Sequence, residues 1–170
     1  MSSVICPVKF LLKNLNTIQK VTNENVTLKT NSSMKAYTDL EQSKTLSNIL
    51  PIESADMTLP LRYTQKDEYI PGYVVSRNYI DVYNEMLALP GMDKEEVHKL
   101  IQPVWSLVAL LGVLPDEVGD NHYLTLDKEG KEYCCCYEDI NGNSFKHTFA
   151  DNPVDACVAM IEKLHELKML

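Results

Sequence analysis

The chain has 170 residues, 45% of them apolar and 24% charged, with a net charge of −8. That composition belongs to a folded protein of about one ordinary domain and excludes wholesale disorder. The acidic balance weighs against nucleic acid as the main partner, because neutralising phosphates takes a basic face, and no apolar run is long enough to cross a membrane as a helix.

The stretch from Met1 to Leu12 lacks a basic start followed by an unbroken apolar run, since Lys9 and Lys13 interrupt it, so no secretory signal is expected. The cysteines are Cys6, Cys134, Cys135, Cys136 and Cys157. An odd count with three in a row is no disulfide framework, and it fits a reducing, cytoplasmic compartment.

Charge and glycine divide the chain near residue 70. Residues 1–70 carry eight basic and seven acidic side chains, whereas residues 71–170 carry eight and seventeen and hold all six glycines. Val8 to Ile18 places Phe10, Leu11, Leu15 and Ile18 roughly on one side of one or two helical turns. Val21 to Leu50 is dense in Asn, Thr, Ser and Gln, with Tyr37 its one aromatic, which is too little apolar matter to offset the entropy of ordering alone. Inside it, Val26 to Thr30 alternates as a short strand does. Pro51, Pro60 and Pro71 favour extended or turn backbone. Residues 1–70 therefore read as an extended polar arm with local structure that needs shelter against another surface, and 71–170 as a small α+β domain.

Ser76 or Asn78 caps a helix running to about Leu89, with Tyr79, Ile80, Val82, Tyr83, Met86 and Leu87 at helical spacing. Asp93 and Glu96 form a capping box for a second helix. Val97, Leu100, Ile101, Val104, Trp105, Val108 and Leu111 continue its apolar ladder to Gly112, with a kink expected at Pro103. From Asn121 the period changes to two. His122–Leu126, Lys131–Glu138 and Ser144–Phe149 read as three strands, the last two joined by the hairpin signal Asn141-Gly142. Asn152, Pro153 and Asp155 open a final helix with Val154, Cys157, Val158, Met160, Ile161 and Leu164 on its apolar side. The expected fold is thus α+β: two helices, a three-stranded antiparallel meander and a C-terminal helix, preceded by the arm.

Chemistry-bearing residues are scattered. Cys134 and Cys136 share a strand face, and His122 or His147 from a neighbouring strand would be needed to complete a zinc site, but the tight knuckles of zinc sites are missing and thiols pack well under a helix, so strand packing is the expectation. No basic cluster activates Cys135. Asp139 to Asn143 lacks the acid spacing of a calcium loop and reads as a turn. No phosphate-binding, dinucleotide, nucleophile-elbow or zinc-protease motif occurs, so neither a catalytic residue, a cofactor nor a metal is assigned. Tyr63, Tyr69, Tyr73, Tyr79 and Tyr83 fall close together, and tyrosine suits protein contacts, so these five are the candidate partner-binding residues.

The aromatic-rich strand after a hairpin, together with Phe149-Ala150-Asp151-Asn152-Pro153-Val154-Asp155-Ala156 opening a helix, gives residues 123–167 a resemblance. That stretch resembles a β-meander-plus-helix module in short proteins of bacteriophages and prophages, which implies no catalytic residue. The expectation is a non-enzymatic interaction protein of a phage or mobile element, either a virion component or an inhibitor of host defence. It would bind a protein partner or a second copy in the cytoplasm of a bacterium or infected cell, or within the virion. The competing expectation is a small ligand- or nucleotide-binding protein, or small enzyme, with a pocket between the sheet and the Trp105 helix.

Overall fold

The first helix falls inside the stretch expected to be an arm. A computed structural model describes residues 35–63, 69–119 and 121–170; the strand expected over residues 26–30 and the helical turns over 8–18 lie outside them. Asp39 and Gln42 form a reciprocal capping box that starts α1, Leu40–Leu46. After a short 3-10 turn, Ile52–Ser54, comes β1, Met57–Tyr63, the middle strand of an antiparallel sheet. Its neighbours are β2, Tyr69–Pro71, and β3, Ile101–Val104.

The boundary expected at residue 70 consequently lies within β2, and residues 35–63 share one core with the second half. Leu46, Leu50 and Ala55 pack in the same cluster as Tyr79, Trp105 and Ile161. Few apolar residues suffice here because the polar ones are also satisfied inside. Buried Thr38 and Ser43 share a hydrogen bond of 2.7 Å, Thr38 Oγ1 accepts the Trp105 backbone N–H, and Thr58 donates to the Arg77 carbonyl.

Asn78 caps α2, Tyr79–Leu87, and buries Tyr79, Val82, Tyr83 and Met86, the inward i, i+3, i+4, i+7 stripe. Asp93 caps α3, Lys94–Leu100, while the Glu96 carboxylate takes Lys99 instead of reaching back to the cap. Here the structure corrects the expected kinked helix. Ile101 is already extended (φ −138°, ψ 146°), and the chain pairs as β3 before Ser106 caps a separate helix, α4, Leu107–Val113. Pro103 ended the helix rather than bending it, since its ring disfavours helical backbone at the preceding residue. A proline is tolerated in β3 because that strand lies at the sheet edge.

The three expected meander strands form, the first running on to Glu129 rather than ending at Leu126, and a short strand is added before them. The order is β4 (Glu117–Val118), β5 (His122–Glu129), β6 (Glu132–Glu138), β7 (Ser144–Ala150), each antiparallel to its neighbour. In the β6–β7 turn, Asp139 accepts the N–H groups of Asn141 and Asn143 and the Asn143 amide, and Gly142 sits at φ +80°. These bonds, the Asn143 side chain first, hold the Asp139 carboxyl at about 2.

Asn152 caps α5, Pro153–Glu166, which lies on one side of this sheet. Its Val154, Cys157, Val158, Met160, Ile161 and Leu164 are all buried, each worth about 1.5–3 kcal/mol where a full aliphatic side chain leaves water. On β7, the last strand, the Lys163 ammonium of α5 donates to the His147 carbonyl at 3.0 Å.

Lys35 ties the start of the described chain to α5, with its ammonium 2.7 Å from Asp155 and 2.8 Å from Asp39. Burial pushes the Asp155 carboxyl up, but hydrogen bonds from Lys35, Gln42 and Asn152 outweigh it and hold the group below its ordinary 3.8. A carboxyl lowered on folding adds stability that is present above the unfolded value and lost as pH falls through the folded one. The stability advantage of the native chain over Asp155→Asn should therefore shrink steadily when urea midpoints are measured from neutral pH down to about pH 3. An advantage that is flat with pH would show that the contact adds nothing to folding.

Candidate docking surface

Strand pairing sorts the meander into two sides. Leu124, Leu126, Tyr133, Cys135, Tyr137 and Ala150 pack into the core with α5. By alternation the other side carries Tyr123, Thr125, Asp127 and Glu129 of β5, Glu132, Cys134, Cys136 and Glu138 of β6, and His147 and Phe149 of β7. Thr125, Cys136 and His147 stand in one cross-strand row, and Asp127, Cys134 and Phe149 in the next.

This side is turned outward. Tyr123 and Phe149 are each 48% exposed, and His147, Asp127, Glu129 and Glu132 are exposed as well. Between these larger side chains Cys134 and Cys136 are buried. The His147 and Phe149 rings are 5.5 Å apart on this side, whereas Phe145, the extra residue of β7 where its register with β6 shifts, has its ring 5.3 Å from that of His122 and 4.7 Å from the Lys146 ammonium. Lysine is missing from these outward positions: Lys128 pairs with Tyr133 and Lys146 with Tyr137, so both fall on the alternate register.

The thiols are poor nucleophiles. Burial, followed by the charge and hydrogen bond of Cys134 and then Glu138, pushes Cys136 up; its Sγ lies 3.5 Å from the Glu138 carboxylate. Burial, then Glu129, Glu138 and Asp127, pushes Cys134 up, against a smaller opposing effect from Cys136. On the inner side Cys135 donates to Cys157, and that bond together with burial keeps it a thiol. Held as thiols, these three are weak nucleophiles. Among the described residues no group of three or more His, Cys, Asp or Glu is placed to hold a metal ion. No described helix is long and apolar enough to cross a membrane.

The five candidate tyrosines do not form one surface. Tyr79 and Tyr83 are core residues of α2, with ring centroids 5.8 Å apart, and the Tyr79 hydroxyl meets His98 Nδ1 at 3.2 Å. Their spacing of four belongs to the inward stripe, which is why the crowding of tyrosines misled. Tyr73 is exposed, and Tyr63 and Tyr69 are backbone partners in β1 and β2. Tyr123 and Phe149, together with the acids at alternate positions, are exposed on one side of the sheet and were not singled out from the sequence. Their signal was the period of two, read across three strands at once.

The helix expected to line a pocket around Trp105 is not formed there. Trp105 follows β3 rather than lying in a helix, is fully buried, and its indole N–H donates to Ser54 Oγ at 2.9 Å. Comparison of the chain with protein-family models, with curated proteins and with solved structures returned no match.

Proposed function

We propose that this is a non-enzymatic protein–protein interaction protein whose docking surface is the outward side of β5–β7. The observation that carries the reading is the combination on that side: half-exposed Tyr123 and Phe149, set about buried thiols and bordered by Asp127, Glu129, Glu132 and Glu138. Aromatic rings supply apolar contact area and also attract ammonium and guanidinium groups. Carboxylates repel phosphates and strengthen that preference for cations. The chemistry suits a polypeptide bearing apolar and basic side chains. A phage or mobile-element role, as virion component or host-defence inhibitor in a bacterial cytoplasm, is supported by the resemblance of residues 123–167, and neighbouring genes for capsid and tail or for counter-defence would divide the two.

Replacing Phe149 with Asp tests the surface. Affinity isolation from the expressing cells should recover a stoichiometric protein partner with the native chain, and Phe149→Asp should weaken that binding at least about tenfold, as losing a central aromatic anchor does. Melting temperature should hold, because the side chain is half-exposed. Equal binding by the variant, or a native chain that recovers no protein, would sink the reading.

A further inference from the structure

The described fold begins at Lys35, which is anchored on Asp155 in the first turn of α5. Since α5 follows β7 directly, this anchor lies at the end of the sheet where Asp127, Cys134 and Phe149 stand in register. Thirty-four residues precede Lys35 in the sequence. At 3.3 Å per residue they can span roughly 110 Å, whereas four strands are crossed in about 20 Å.

Their chemistry complements the outward side of the sheet. Residues 1–34 hold Lys9, Lys13, Lys20 and Lys29 against Glu24 alone, a net of +3. The outward side offers Asp127, Glu129, Glu132 and Glu138, with no Lys or Arg at its strand positions. Phe10, Leu11, Leu15 and Ile18 provide an apolar set to meet the exposed rings. We propose that residues 1–34 of the same chain are the occupant of the outward side of β5–β7, so that the chain covers its own docking surface. The inference rests on reading that side as a docking surface. A tethered segment acts at millimolar effective concentration, so an external partner binds only by displacing it.

The test uses the full chain with p-benzoylphenylalanine incorporated in place of Phe149. On irradiation at low protein concentration, the principal cross-linked peptide should map within residues 1–34. In an equal mixture of isotopically light and heavy protein, the linked peptides should be of one isotope only. Combining Phe10→Asp with Leu11→Asp should cut the yield at least about fivefold, as loss of apolar anchors at a contact does. Cross-links of mixed isotope would make a second copy the occupant and overturn the proposal, as would cross-links that avoid residues 1–34 or a yield indifferent to the paired substitution. The two readings fail separately. Self-cross-linking without any recovered partner would remove the interaction role alone, and a recovered partner without self-cross-linking would remove this inference alone.

Discussion

Trp105→Ala should cost about 3–5 kcal/mol of folding stability, the range for emptying a large aromatic site in a packed core. That is a third or more of what many domains possess in total. Trp105 is fully buried where both parts of the chain meet. Its indole donates to Ser54, its backbone N–H to Thr38 Oγ1, and its carbonyl accepts the Thr38 N–H at 3.0 Å. The backbone bonds survive truncation and Ser54 keeps its bond to the Pro51 carbonyl, so the loss reports the cavity and the missing indole bond. Trp105→Phe should recover most of it, leaving a deficit of about 1–2 kcal/mol for the missing hydrogen bond and residual space. Urea unfolding followed by far-ultraviolet circular dichroism is the suitable measurement, since this is the chain's single tryptophan and its fluorescence goes with it. A Trp105→Ala variant within about 1 kcal/mol of the parent would mean that residues 35–63 are not built into the core as described.

The second large effect separates tyrosines that look alike in sequence. Tyr79→Ala should destabilise by about 3–5 kcal/mol, whereas Tyr73→Ala, at an exposed position, should stay within about 0.5 kcal/mol. Tyr79→Phe isolates the hydroxyl, which meets His98, at about 1 kcal/mol. Burial, with a smaller contribution from Tyr83, pushes the Tyr79 phenol up to about 12 from 10.0. With a folded value above the unfolded one, its contribution to stability is whole below pH 10 and is lost as pH rises towards 12. Parallel urea titrations of the three variants decide the matter. Equal costs at positions 73 and 79 would contradict the assignment of Tyr79 to the core.

The second half was largely legible because its signals are local. The caps at Asn78, Asp93 and Asn152, the Asn141-Gly142 turn and the switch from helical to alternating period each fix backbone within a few residues, and the structure has helices and strands at those places. Pro103 was ambiguous for a physical reason. A proline inside an apolar ladder can bend a helix or end it, and the outcome turned on β1, a strand more than forty residues upstream that offered pairing to Ile101–Val104. The role of residues 35–63 was harder still. Thr38, Ser43 and Thr58 are buried because distant groups complete their hydrogen bonds, and composition weighs each of them as a surface residue. Crowding along the chain likewise grouped buried Tyr79 and Tyr83 with exposed Tyr73, whereas nearness across strands brings together Asp127, Cys134 and Phe149.

The reach of Lys163 to the His147 carbonyl bears on how the protein behaves when concentrated. A terminal ribbon with free acceptors invites a neighbour's ribbon to zip alongside, the first step towards fibrils. By filling one acceptor and setting a positive charge beside the margin, this lysine discourages such lengthwise stacking.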